Sequence, residues 1–141
     1  MDEAEYARIP GEDVLSHVAY EAYGEVPYGW HVFVLKDMDA MRLLRGQYDA
    51  ELLDHQDAYA WTVLRNEPHA GNFIGEMYFV EGYVYVGLIA HESVHMASWI
   101  LGLEGVKKMR AGAEPERLAE LVAQLTSVVW YNLEDWWTQD A

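Results

Sequence analysis

Hydrophobic positions follow two kinds of pattern along the chain, and each kind predicts a different element. Apolar residues three and four positions apart predict helices over residues 12–23, 38–46 and 88–101, and a long helix from Pro115 toward the Trp136–Trp137 pair. Short runs rich in β-branched and aromatic residues predict strands over residues 30–35, 58–64 and 73–80. Together these elements predict an α+β domain, in which a small, mostly antiparallel sheet packs against the helix of residues 88–101 and the long C-terminal helix.

Polar and small residues mark where several of these elements end. Asp37 is placed to cap the second helix and Gly46 to end it, whereas residues 47–56 are ambiguous. Pro, Gly and Asn predict a loop over residues 66–72. Residues 105–113, rich in Gly, Lys and Arg, are a connector by composition.

The length of the chain and its apolar content predict one folded unit over residues 1–141. With 141 residues, of which 52% are hydrophobic, the chain can build a core of its own. Its first residues, MDEAEYARIPGEDV, lack the basic start and the apolar run of a signal peptide, and no apolar stretch is long enough to span a bilayer. We therefore expect a cytoplasmic protein without a membrane-spanning segment.

Charge and cysteine content narrow the possible partners. Asp and Glu number 24 against 9 Lys and Arg, and the resulting net charge of -15 repels the phosphates of nucleic acids. This charge disfavours nucleic acid as a partner, but it is compatible with a solvated surface, with a basic partner or with a protein that imitates nucleic acid. Because the chain has no cysteine, any metal must be bound by His, Asp or Glu.

The stretch AHESVHMAS, residues 90–98, contains the spacing His-Glu-x-x-His at His91, Glu92 and His95. Residues four apart on a helix lie one above the other, so the two imidazoles can bind one metal ion. Glu92 is offset by one position and can reach a water molecule on the same metal. The spacing therefore predicts two Zn²⁺ ligands and a general base.

Two imidazoles leave a catalytic zinc site one protein ligand short. The longer motif with a third His is excluded, because Ser98 and Leu101 occupy its Gly and His positions. A carboxylate from the later helix remains, with Glu120 as the best candidate and Glu116, one turn earlier, as its competitor. Glu116 lies near the helix N-terminus, where a carboxylate already has a sufficient role.

The run LIAHESVHMASWIL, residues 88–101, resembles the active-site helix of small zincin-type metalloproteins, in particular the minimal ones encoded in bacteriophage and prophage genomes. In that family a strand leads into the motif and a following helix supplies a glutamate, and EMYFVEGYVYVGLIAHESVH and ELVAQL look like these two parts. The resemblance implies a gluzincin-like site, with His91, His95 and Glu120 on Zn²⁺ and Glu92 as general base, that hydrolyses a peptide or protein substrate. For a phage-encoded protein, the expected location is the host cytoplasm.

The group that stabilises the oxyanion stays open among Tyr78, Tyr85, Tyr131 and His69. The strand of residues 73–80 is expected to border the cleft, because an edge strand near the motif helix can pair with an extended peptide.

A function of a different class also stays open. The net charge of -15 fits an acidic interaction protein, for example an inhibitor or a DNA-mimicking antidefence factor, with a structural or vestigial zinc site. A purely structural zinc, however, has no need of Glu92.

Overall fold

A computed structural model describes residues 9–21, 28–48, 58–69, 73–103 and 113–138. These residues form an α+β fold of four strands and three α-helices, with single 3-10 turns at Gly11–Asp13 and Glu134–Trp136. The strands are β1 (Val14–Tyr20), β2 (Gly29–Leu35), β3 (Ala60–His69) and β4 (Phe73–Val80). The helices are α1 (Met38–Tyr48), α2 (Val86–Leu103) and α3 (Ala113–Asn132).

The four strands form one mixed sheet in the order β1-β2-β4-β3. β1 and β3 run antiparallel to their neighbours, whereas β2 and β4 are parallel to each other. The two interior strands, β2 and β4, are buried along nearly their whole length, as expected for strands covered on both faces. The sheet is thus mixed, although two of its three pairings are antiparallel.

Each face of the sheet carries its own hydrophobic core, because successive side chains of a strand point to opposite faces. We call one the α2/α3 face, where strand side chains pack against those two helices, among them Trp30, Val32, Met77 and Phe79. We call the other the α1 face, where a smaller core forms against α1, with Leu35, Met41, Leu44 and Tyr78. The helix that carries the His-Glu-x-x-His spacing is therefore packed between the sheet and α3 along its apolar side.

The helix predicted over residues 12–23 is wrong. Most of this segment is strand β1, and residues 22–27 lie outside the described residues. Along β1 the even positions are half-buried or buried and the odd positions, such as Leu15 and His17, are exposed. The apolar residues of this segment are compatible with both a helix and a strand. Hydrogen bonding to β2 favours the strand.

Other predicted elements are confirmed with changes at their ends. Asp37 caps α1, since its Oδ1 accepts a hydrogen bond of 2.9 Å from the backbone N–H of Ala40, but the helix continues past Gly46 to Tyr48. β4 has the predicted bounds. β3 extends into the predicted loop as far as His69, while residues 49–57, 70–72 and 104–112 lie outside the described residues. Within the described part of the chain, no helix is long and apolar enough to cross a membrane.

Candidate functional site

Helix α2 exposes two imidazoles on one side while its other side is buried. Ile89, Met96 and Ile100 point into the core and are fully buried. His91 and His95 lie on the exposed side, one turn apart, with ring centroids 5.0 Å from each other. The His91 side chain is 65% exposed. Both rings are therefore accessible at one patch of the surface, as the sequence spacing predicted.

Glu92 lies beside these rings but is buried, with only 4% of its surface exposed. Its Oε1 accepts a hydrogen bond of 2.8 Å from the hydroxyl of Thr62, on β3. Its Oε2 lies 3.8 Å from Nε2 of His91. In the described part of the chain no Lys or Arg forms an ion pair with Glu92. A buried carboxylate without a cationic partner is costly, so a cation bound at the two imidazoles would stabilise this arrangement.

The strand beside Glu92 is β3, at the edge of the sheet. The sequence predicted that residues 73–80 would be the edge strand bordering the cleft, and this is wrong, because β4 is paired on both sides, with β2 and with β3. β4 is almost completely buried because FIGEMYFV has apolar residues facing both cores. That continuous apolar character was the sequence signal of an interior strand.

Glu120 is not brought to the imidazoles. Its side chain on α3 is 55% exposed, and its carboxylate lies 3.9 Å from Nη1 of Arg117. Among the described residues, no three His, Asp or Glu side chains converge as a metal site requires. α3 turns Leu121 and Leu125 into the core, which leaves Glu120 and Glu116 on its exposed side. Of the predicted site residues, the structure thus brings together His91 and His95, with the carboxylate of Glu92 beside His91.

The four residues considered for the oxyanion separate in the structure. Tyr78 is excluded as the group that stabilises the oxyanion, because it is fully buried in the core of the α1 face. Burial there also raises the pKa of its hydroxyl. Tyr131 is 70% exposed near the C-terminal end of α3. Tyr85 directly precedes α2, and its backbone carbonyl accepts a hydrogen bond from Ile89. His69 is the last residue of β3. The side chain of His69 lies outside the described part of the structure, so the choice among Tyr85, Tyr131 and His69 stays a prediction.

Sequence reasoning missed two polar pairs on the α1 face. Arg65 forms a bidentate ion pair with Glu76, which is 1% exposed. Nε2 of His17 and Nδ1 of His31 are hydrogen bonded at 2.8 Å. Burial and then the neighbouring His17 lower the pKa of His31 to about 4. Thr62 was also missed, because a threonine in a strand carries no sequence signal of what it faces.

Comparisons with models of known protein families, with curated proteins and with solved structures find no match to this chain. The function of this chain is therefore inferred from its own residues and from how the fold arranges them.

Proposed function

We propose that this protein is a zinc-dependent metallopeptidase in which His91, His95 and Glu120 bind Zn²⁺ and Glu92 is the general base. The observation that carries the proposal is the placement of Glu92, a buried carboxylate held by Thr62 on one oxygen and directed by the other toward an exposed imidazole. A carboxylate that only stabilised the fold would have no reason to lie beside two exposed, metal-ligating side chains. The proposal includes a zincin-like relation between sheet and motif helix, and a cytoplasmic location.

The residues divide the chemistry between them. Bound Zn²⁺ would polarise the scissile carbonyl and lower the pKa of a water molecule. Oε2 of Glu92 is the oxygen that Thr62 does not engage, and it accepts the proton of the attacking water and later delivers it to the leaving amine. His91 and His95 bind through ring nitrogens on the exposed side of α2, where a peptide has access.

Glu120 enters the proposal as the third ligand because its helix packs directly against α2. Ligation would require its side chain to leave the exposed position that it has in the structure. Its side chain is exposed, and an ion pair of 3.9 Å with Arg117 is a weak constraint on its rotamer. A change of side-chain torsions is therefore inexpensive for this residue. Glu116 is also exposed, one turn earlier on the same helix, and it is therefore the comparison for Glu120.

Metal analysis of the full chain after reconstitution with Zn²⁺ is the decisive experiment. We expect one zinc per chain in the parent, and none in the His91→Ala/His95→Ala double variant. His17→Ala is the matched control, because His17 is also an exposed histidine but lies on β1 and faces away from α2. A parent that takes up no zinc, or a double variant that keeps it, would contradict the proposal.

Glu92→Gln then separates a metal site from a peptidase. With β-casein as a general unfolded substrate, we expect this variant to keep its zinc and to lose hydrolysis. If it loses zinc as completely as His91→Ala, Glu92 is a ligand and the assigned role is wrong.

A second candidate is an acidic interaction protein in which zinc stabilises the fold. It is favoured by the net charge of -15 and by the pairing of basic side chains with acids, as in Lys36–Asp13, Arg42–Asp39 and Arg65–Glu76. X-ray absorption of the zinc-loaded protein distinguishes the two. Four protein ligands indicate a structural site, whereas three protein ligands and one water oxygen indicate a catalytic site.

A further inference from the structure

Thr62 connects the edge strand of the sheet to the buried carboxylate of Glu92. It pairs with Met77 in the ladder between β3 and β4, and Met77 belongs to the core of the α2/α3 face. The neighbours Trp61 and Val63 belong to the core of the α1 face. The alternation of side chains along β3 therefore directs Thr62 toward α2, 30 positions later in the chain.

The contact distinguishes the two oxygens of the carboxylate. A threonine hydroxyl can donate only one proton. Oγ1 of Thr62 lies 2.8 Å from Oε1 of Glu92 but 3.5 Å from the backbone oxygen of the same residue. The shorter contact is the hydrogen bond. With Oε1 engaged, the carboxylate plane is fixed and Oε2 is the oxygen that faces His91, at 3.8 Å.

We propose that Thr62 is the positioning residue of Glu92: its hydroxyl holds Oε1, so that Oε2 is presented to the attacking water. This inference rests on the proposed function. Thr62 touches neither substrate nor metal and acts only through Glu92.

The first experiment tests the contact independently of any activity, by melting temperature in the full chain. Thr62→Val keeps the shape of the side chain and removes the hydroxyl, and we expect a loss on the order of 5 °C. In a Glu92→Ala background the same substitution should cost less than about 2 °C, since the partner is already gone. Equal losses in both backgrounds would overturn the inference.

A matched control comes from Thr126 on α3. Its hydroxyl is buried and makes no hydrogen bond within the described part of the chain. Thr126→Val is the same chemical change without a broken contact, and it should leave the melting temperature within about 2 °C of the parent or raise it. A loss equal to that of Thr62→Val would show that the substitution itself, and not the contact, is responsible.

The second experiment tests positioning, with zinc-loaded protein and β-casein. We expect Thr62→Val to lower kcat by about 10–100-fold while KM and zinc content stay within a factor of about two. Thr62→Ser restores the hydroxyl and should recover most of kcat. A hydrolysing parent whose Thr62→Val variant keeps its kcat overturns this inference alone. A parent that binds no zinc or does not hydrolyse casein overturns the proposed function and this inference with it.

Discussion

On the α1 face of the sheet, polar side chains are paired with one another, whereas beside the α2/α3 face a buried carboxylate lies next to exposed imidazoles. Arg65 and Glu76 neutralise each other, and His17 and His31 share a hydrogen bond. Glu92 is buried like Glu76 and His31, but among the described residues it has only a hydroxyl and a neighbouring imidazole as side-chain partners.

The difference shows that buried polar side chains occur in two kinds of environment in this domain. Pairs that satisfy each other specify the fold, and they leave nothing to bind a further group. In the proposed function, Zn²⁺ bound at the two exposed imidazoles would supply the cation that the buried carboxylate of Glu92 lacks.

The largest effect is expected from Glu76→Ala. It leaves the guanidinium of Arg65 without its buried partner, which should lower the free energy of unfolding by about 3–5 kcal/mol. Urea unfolding at pH 7 measures the change. Asp39→Ala is the control, because the Arg42–Asp39 ion pair is exposed and its loss should cost less than about 1 kcal/mol. Equal costs for the two variants would mean that the Arg65–Glu76 pair does not specify the fold.

Glu120→Ala should weaken zinc affinity by about 100-fold, or roughly 2.7 kcal/mol, because the proposed site loses one of three protein ligands. Glu116→Ala removes the same side chain one turn earlier and should change the affinity by less than about threefold. Competition with a chelator measures both. Unchanged affinity in Glu120→Ala would move the third ligand to Glu116 or to another residue.

We expect the free energy of unfolding to decrease as the pH decreases, because of His31. Its pKa is about 4 in the folded protein and 6.5 for an ordinary histidine, so between these values the unfolded chain binds more protons. The stabilisation is present above about pH 6.5 and is lost as pH falls toward 4. From pH 7 to pH 5 we expect the free energy of unfolding to fall by about 2 kcal/mol more in the parent than in His31→Phe. Parallel pH profiles would remove this role of His31.

The smallest effect is expected from Glu92→Gln on stability. The amide oxygen of glutamine can still accept the hydrogen bond from Thr62, so the free energy of unfolding should change by less than about 1 kcal/mol. Urea unfolding of the metal-free protein measures it. A loss as large as that of Glu76→Ala would mean that Glu92 stabilises the fold in the way Glu76 does, and the contrast between the two faces would disappear.

Local patterns in the sequence determined much of this protein. The capping of α1 by Asp37, the bounds of β4 and the helix around residues 88–101 follow from periodicity and end residues, which act within a few positions of the chain. The long helix from Pro115 follows in the same way, but it ends at Asn132, before the Trp136–Trp137 pair toward which the sequence predicted it. The placement of His91, Glu92 and His95 at one patch was predictable for the same reason, since side chains four positions apart on a helix lie on the same side.

Tertiary structure alone decided the rest. β1 is a strand because it pairs with β2, and β4 is an interior strand because β3 pairs along its outer side. The contact between Thr62 and Glu92 spans 30 positions, and the exposed direction of Glu120 follows from which side of α3 packs into the core. Such relations depend on how strands and helices are ordered in space, and no local period in the sequence encodes that order.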